Sequence, residues 1–354
     1  MERMACNKSL CSATTCLVTH ELDKHLFPVL YSILIIISIP ANSASLYISY
    51  SQIKQKNELG IYLLSLALAD LLYTLTLPLW IYYAQNEDNW DLSQQLCTFS
   101  AFLKYLNYYT SSAFLTCISI DRYLAVVYPL RFHYLRTRRF ALLASIFVWA
   151  FEIMSNYQVL KNEDIFNETS VYTNHSRHTF CYDTYPLVNW QAQLNFYRVV
   201  VGYAIPLAIM VFCYQKIYRA VKHNQATQNR DKRKINHLLL SIVVTFFLCF
   251  TPYHVVLFIR SIIEPCECDC GCGCDAAQRM FIPYRITTAL TSLNCIADPI
   301  LYCFVSETGR MDIWNMLKCS SSESQRDAQL SQKVAMSSSS QDKAMMVLKS
   351  ETVL

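Results

Sequence analysis

Seven long runs of mostly apolar residues divide this chain, and they constrain its fold more than any other feature. Each run is at least as long as the roughly 20 residues that a helix needs to cross a lipid bilayer. The runs cover Phe27–Tyr50, Gly60–Tyr83, Cys97–Val127, Phe140–Leu160, Trp190–Tyr214, Leu238–Ile263 and Ile282–Val305. Prolines inside them, such as Pro252, are tolerated in membrane helices because neighbouring helices satisfy the freed backbone groups. We predict an all-α membrane protein, a seven-transmembrane helix bundle.

Composition excludes several other classes of protein. The chain is 53% hydrophobic and 16% charged, whereas about 25% of the residues in ordinary globular proteins are charged. The net charge of +4 is too small to indicate a nucleic-acid partner. We therefore expect neither a soluble domain nor an enzyme, and no cofactor beyond a bound sodium ion, which is considered below.

Basic residues in the connecting segments predict the orientation in the membrane. Thirteen Lys and Arg residues follow the first, third and fifth runs, against three in the other connections. Such an excess marks the cytoplasmic side. Three glycosylation sequons, at Asn7, Asn167 and Asn174, all fall on the opposite side. We predict an extracellular N-terminus and a cytoplasmic C-terminus.

The chain also divides into segments outside the bundle. The predicted division is an extracellular N-terminus (1–26), the bundle (27–305), an amphipathic helix on the inner leaflet (306–319) and a disordered cytoplasmic tail (320–354). Cys319 is either palmitoylated or a free thiol. Serines near Ser337–Ser340 suit phosphorylation and arrestin binding. Thr352–Leu354 matches a ligand of a PDZ protein, although such endings also arise by chance.

Short motifs mark each predicted helix. They are Asn42, Asp70, Asp121-Arg122-Tyr123, Trp149, Pro206, Cys249-Phe250-Thr251-Pro252 and Asp298-Pro299-Ile300-Leu301-Tyr302. In this order and on these runs they resemble the signature set of rhodopsin-like G-protein-coupled receptors, and the resemblance covers residues 27–318. It implies a multi-pass receptor of the plasma membrane with a heterotrimeric G protein as its partner.

The resemblance implies a G-protein switch at the inner ends of the helices. Asp121 would hold Arg122 in the resting state, and Tyr214 and Tyr302 would receive the arginine in the active state. Tyr123 and Pro299 belong to the same switch. The alternative is an ordinary salt bridge at a helix end.

Two further sets of residues match features of that family. Cys97 and Cys181 resemble its disulfide, which an extracellular location permits. Its sodium pocket is matched by Asp70, Ser111, Asn294 and Asp298. Most members have Asn where Asp298 stands. Because two neighbouring carboxylates disfavour double ionisation, we expect a shared proton or a bound sodium ion.

Longer strings resemble the proton-sensing branch of these receptors. They are Glu58–Leu63, Leu75–Trp80, Asp121–Leu130 and Thr288–Cys295. This resemblance implies extracellular protons as the agonist, a stimulatory G protein and a rise in cyclic AMP. Retinal is disfavoured because Ile282–Val305 lacks lysine, and an amine is disfavoured because Lys104 stands where amine receptors carry aspartate.

Titratable side chains on the outer side suit proton sensing. Histidine has an ordinary pKa of about 6.5, within the range of tissue acidification. The candidate histidines are His20 and His25 just before the first helix, His175 and His178 in the second outer loop, and His254, which should face the bundle. Solvated polar side chains are the alternative interpretation of the loop histidines. Glu152 resembles, with Asp70 and Asp298, the acidic triad of the branch, or it is permanently neutral.

Two rival functions and one unusual segment stay open. Lys104, Arg198 and Arg285 suit the head group of a membrane lipid of the lysolipid or psychosine type. A weakly signalling scavenger or scaffolding receptor is the second rival, although the intact Asp121-Arg122-Tyr123 disfavours it. The alternating cysteines of Cys266–Cys274 indicate disulfides with the N-terminal cysteines, a zinc site, or an insertion without function.

Overall fold

The computed structural model describes residues 21–161, 170–173, 176–182, 185–223, 229–265 and 274–305. Helices 1 to 7 are numbered here by the apolar run that each corresponds to, and inner and outer refer to the sides that the sequence predicts to be cytoplasmic and extracellular. Their bounds are Glu21–Lys54 (helix 1), Leu59–Thr74 with Leu77–Gln85 (helix 2), Gln94–Val127 (helix 3), Arg138–Ser155 (helix 4), Asn189–Val199 with Val200–Ala204 and Ile205–His223 (helix 5), Asn229–Ile263 (helix 6), and Cys274–Ser292 with Asn294–Val305 (helix 7). A 3-10 turn, His133–Leu135, precedes helix 4, and a short helix, Tyr157–Lys161, follows it.

Each predicted run is mostly helical, although Phe140–Leu160 continues past the end of helix 4 into the short helix Tyr157–Lys161. Several helices also extend beyond the apolar residues. Helix 1 begins at Glu21 and helix 6 begins at Asn229. Backbone hydrogen bonding continues into polar turns, which hydropathy alone does not detect. The prediction that His25 precedes the first helix is therefore wrong, because His25 lies within helix 1.

Hydropathy and packing together account for the bundle. Within the described residues, four stretches are long and apolar enough to cross a membrane by length and composition alone: Leu22–Lys54, Leu59–Gln85, Asn189–His223 and Leu239–Ile263. Helix 3 is different, because it is buried along most of its length and carries many polar side chains. Helix 3 packs against helices 2, 4 and 5, whereas helix 6 packs against helices 5 and 7. The central position of helix 3 lets its polar groups meet partners from its neighbours.

One glycine permits a close contact between helices 1 and 2. A Cβ atom added at Gly60 would lie 2.7 Å from the carbonyl oxygen of Ser49 in helix 1. Only glycine therefore allows helices 1 and 2 to approach this closely. The contact fixes the inner end of helix 2, where Glu58 precedes the first turn.

The outer surface carries a small element that an all-α prediction did not include. Strands β1 (Ser170–Thr173) and β2 (Ser176–Thr179) form an antiparallel hairpin in the second outer loop. Cys181 follows β2 and is bonded to Cys97 of helix 3, with a Cα–Cα distance of 5.6 Å. The predicted disulfide is confirmed.

Candidate functional site

At the inner end of helix 3, one carboxylate is shared by two arginines. Arg122 donates from Nε and Nη2 to Asp121 Oδ2, at 3.0 and 2.5 Å. Arg136, in the next loop, has its Nε 3.6 Å from Asp121 Oδ1. The side chains of Arg122 and Arg136 are each 24% exposed, whereas that of Asp121 is 6% exposed.

Aromatic side chains pack around Tyr123, the residue that follows Arg122. Tyr123 packs edge-on against Tyr128 and Phe212, with ring centroids 5.7 and 5.8 Å apart. Tyr214 packs against a small apolar cluster between helices 5 and 6. Tyr302 lies in helix 7, but its side chain falls outside the described residues. The switch residues of helices 3 and 5 are thus adjacent in this arrangement.

Two carboxyl groups lie in the polar centre of the bundle. Asn107 Nδ2 donates to Asp70 Oδ1 at 2.8 Å, and Asn294 Nδ2 lies 3.3 Å from Asn107 Oδ1. Ser111 Oγ is 3.4 Å from Asn107 Nδ2. Asn107 therefore joins the predicted pocket residues of helices 2, 3 and 7.

The carboxyl oxygens of this centre are incompletely satisfied. Among the described residues, Asp70 Oδ2 and both oxygens of Asp298 are buried without a hydrogen-bond partner, apart from the weak thiol donor of Cys295 near Asp70. The two carboxyl groups also interact electrostatically. Buried oxygens of this kind require a proton or a cation, and hard cations prefer oxygen ligands. The donor set fits a sodium ion or a shared proton.

His254 of helix 6 sits in an aromatic cage and is only 1% exposed. Its Nδ1 is 2.8 Å from the carbonyl oxygen of Phe250, which can only accept, so Nδ1 donates. The ring stacks on Tyr203 of helix 5 at 4.7 Å and meets Tyr253 edge-on at 5.1 Å. Nε2 is buried without a hydrogen-bond partner in the described part of the chain. This environment suits the neutral ring, because a second proton would leave a buried charge without an acceptor.

Arg198 of helix 5 lines one cavity with Glu152, and it packs against Tyr109, whose ring also contacts His254. The guanidinium carbon is 3.8 Å from the ring centroid of Tyr105, and Nη2 donates to Asn156 Oδ1 at 3.5 Å. Glu152, on helix 4, is 7% exposed and interacts electrostatically with Arg198. The positive charge of Arg198 also interacts electrostatically with His254. The buried guanidinium of Arg198 thus acts on one acidic group, Glu152, and on one basic group, His254.

Arg285 of helix 7 forms ion pairs with two buried aspartates. Its Nε is 2.7 Å from Asp23 Oδ2 of helix 1, and its Nη2 is 3.1 Å from Asp88 in the first outer loop. Lys24 of helix 1 and Glu87 of the first outer loop form a further ion pair, which is exposed, at 3.1 Å. Arg285 therefore connects three segments at the outer end of the bundle.

The family follows from a comparison over most of the bundle. The model of the 7 transmembrane receptor (rhodopsin family) matches residues 41–302. This chain belongs to the rhodopsin family. It is therefore a multi-pass receptor of the plasma membrane, and its similar proteins are receptors rather than enzymes.

Three relatives cover most of this rhodopsin-family chain. Human G-protein coupled receptor 65 is 54% identical over 317 residues, which is 88% of this chain and 94% of that protein. Human G-protein coupled receptor 68 is 42% identical over 305 residues, or 85% of this chain and 79% of the relative. Lysophosphatidic acid receptor 6 of Gallus gallus is 31% identical over 301 residues, or 84% and 95%.

Other predicted positions of this rhodopsin-family receptor differ in how far they are described. His25 is exposed on helix 1, and Lys104 Nζ lies 4.7 Å from the ring centroid of Trp80. His178 lies in β2, and its side chain is outside the described part. The predictions that fall outside the described residues concern His20, His175, Asn7, Asn167, Asn174, the cysteines from Cys266 to Cys272, Cys319, Ser337–Ser340 and Thr352–Leu354.

Sequence reasoning missed several polar contacts of this receptor. Asn107 is one helical turn from Ser111, and that spacing could have revealed it. Arg260 and Glu264 form a buried pair at 2.5 Å, and their i,i+4 spacing in an apolar run was a similar signal. The pairing of Arg136 with Glu58 had no local signal, because the two residues are separated by 78 positions.

Proposed function

We propose that this receptor is activated by extracellular protons and signals through a stimulatory G protein to raise cyclic AMP. The proposal places the N-terminus outside the cell and the C-terminus inside. It draws on the resemblance of the chain to the proton-sensing branch and on the titratable groups in the bundle. Arrestin and a PDZ protein remain proposed partners of the tail.

The environment of His254 is the observation that carries the proposal. The packing of helices 5 and 6 around this ring suits its neutral form, because Nε2 has no acceptor among the described residues. Protonation therefore disfavours this packing relative to any arrangement that offers the ring water or a carboxylate. A state that binds more protons gains population as the pH falls. Acid should thus shift the receptor away from the packing of His254 against Tyr203.

The acidic groups extend the same mechanism. Asp70, Asp298 and Glu152 are buried, so their neutral forms are favoured by desolvation. Protons and a sodium ion would compete for the oxygens of Asp70 and Asp298. The histidines at 20, 25, 175 and 178 are proposed to tune the response from the outer side.

Cyclic AMP accumulation in transfected cells between pH 6.0 and 8.0, without added lipid, tests the proposal. We expect a rise toward acid pH in the wild type. His254→Phe keeps the aromatic contact but cannot be protonated, so its response should be reduced several-fold at pH 6.5. Glu152→Gln should flatten the curve by raising the signal at alkaline pH.

A matched control exists on the cytoplasmic side. His223 makes the same contact as His254, with Nδ1 2.9 Å from the carbonyl oxygen four residues earlier, but it is exposed. His223→Phe should leave the pH dependence unchanged at equal surface expression. A wild-type response that is flat across the pH range would overturn proton activation.

A lipid ligand is the second candidate function. Arg198 and Lys104 are buried cations. Arg198 also lines a cavity with Tyr105 and Arg260, and one relative at 31% identity is named for lysophosphatidic acid. Arg285 contributes less to this candidate because its guanidinium is engaged by Asp23 and Asp88. Psychosine or lysophosphatidic acid added at pH 7.8 tests it. A saturable response that Arg198→Gln removes, with no response to acid alone, would favour the lipid.

A further inference from the structure

The inner end of the bundle contains a chain of four charges rather than a single pair. Arg122 and Arg136 lie on the two oxygens of Asp121. Arg136 Nη2 also donates to Glu58 Oε1 at 2.8 Å. The order along the chain of charges is therefore Arg122, Asp121, Arg136 and Glu58, with alternating sign.

Backbone structure fixes the positions of Arg136 and Glu58, the last two members of this chain of charges. Arg136 lies between the 3-10 turn His133–Leu135 and Thr137, the N-cap residue of helix 4, whose hydroxyl accepts from Phe140 N. Glu58 precedes helix 2, where the close contact at Gly60 holds the first turn against helix 1. A carboxylate at a helix N-terminus is also favoured by the helix dipole. Arg136 and Glu58 are thus held by elements other than helix 3.

The position of Arg136 determines how strongly Asp121 holds Arg122. The Nε of Arg136 is buried and, at 3.6 Å, is just too far from Asp121 for a hydrogen bond. Glu58 draws the other end of the same guanidinium away from Asp121. Without Glu58, Arg136 can move toward Asp121 and compete with Arg122. Without Arg136, Arg122 no longer shares the carboxylate of Asp121 with a second arginine.

We propose that Glu58 and Arg136 set the basal activity of the receptor by controlling the strength of the Asp121–Arg122 pair. Arg136 is a positioning residue that weakens the pair, and Glu58 limits this effect. The inference rests on the proposed coupling of the switch to a G protein, but not on protons as the agonist.

The two charges therefore predict opposite effects on basal signalling at pH 8.0. Glu58→Gln should raise basal cyclic AMP about two- to five-fold, the range that corresponds to a partly exposed ion pair. Arg136→Gln should lower it by a similar factor. The double variant should resemble Arg136→Gln, because Glu58 acts only through Arg136. Arg136→Lys, which keeps the charge but not the forked geometry, should fall in between.

Arg138→Gln is the matched control for these variants. Arg138 is two residues after Arg136 in the sequence, and it donates a long hydrogen bond of 3.4 Å to the carbonyl oxygen of Ile53. The basal signal of this variant should equal that of the wild type at equal surface expression.

Hydrogen–deuterium exchange of the purified receptor at the inner ends of helices 3 and 5 gives a readout that needs no G protein. Exchange should rise in Glu58→Gln and fall in Arg136→Gln. Shifts of both variants in the same direction, or no shift in either assay, would overturn the inference. A change in exchange without any wild-type cyclic AMP response would count against the proposed coupling alone.

Discussion

The side chain of Asp298 changes the number of ionisable groups in the polar centre of the bundle from one to two. It places a second carboxyl group beside Asp70, and both of its oxygens lack a hydrogen-bond partner among the described residues. Asn107 and Asn294 donate hydrogen bonds to only some of the buried oxygen atoms at this centre. Because two buried negative charges repel each other, we expect the centre to hold a proton or a cation. Acidity and sodium concentration should therefore act on the same few oxygens.

Asp298→Asn should remove this competition. The amide is permanently neutral and resembles the protonated acid, so signalling at pH 8.0 should rise and the pH curve should become shallower. Replacement of sodium by a large organic cation should then have a smaller effect than in the wild type. Cyclic AMP curves in both ionic media check this. An unchanged curve in both media would exclude Asp298 from the response.

Elements meet at the outer end of the bundle through buried ion pairs. Arg285 joins helix 7 to Asp23 of helix 1 and to Asp88 of the first outer loop. Both aspartates are at most 1% exposed. Removal of one member of a buried ion pair is costly because the remaining charge keeps its desolvation penalty. The cluster therefore acts as a fixed connection between segments that are far apart in sequence.

Arg285→Gln should destabilise the receptor by about 3–5 kcal/mol, because it leaves two buried aspartates without their cation. A thermal unfolding assay of the purified receptor measures the change. Lys24→Gln is a matched control, since it breaks the exposed pair with Glu87 between two of the same segments. Its effect should be small, because surface ion pairs contribute about 0–1 kcal/mol. Equal effects of the two variants would contradict the structural role of Arg285.

At the scale of the whole molecule, the second outer loop is tied to the bundle by one covalent bond. Cys97 and Cys181 are separated by 84 residues in sequence. The hairpin of β1 and β2 lies just before Cys181, and Trp90 N donates to the carbonyl oxygen of Thr179 at 2.7 Å. The disulfide restricts the unfolded chain across a long loop, and this loss of entropy stabilises the folded state.

Cys97→Ser or Cys181→Ser should each lower the stability of the receptor by about 2–4 kcal/mol. The double variant should resemble either single variant, because all three lack the same bond. Surface expression and the melting temperature of purified receptor measure the loss. Cys117→Ser is the control, since Cys117 is unpaired in the structure. A loss in the double variant equal to the sum of the single losses would contradict a shared bond.

Local patterns in the sequence were sufficient to predict the helices, and the resemblance to a receptor family implied the disulfide. A lipid bilayer offers no hydrogen bonds, so a long apolar run must satisfy its backbone internally as a helix, and such a run is visible without any structure. The i,i+4 spacing of Arg260 and Glu264 was visible in the same way. Only the tertiary structure showed that Arg285 pairs with Asp23 and Asp88, that Asn107 contacts Asp70, and that Arg136 bridges Asp121 and Glu58. These contacts join residues far apart in sequence, and they depend on how the helices rotate and pack against one another.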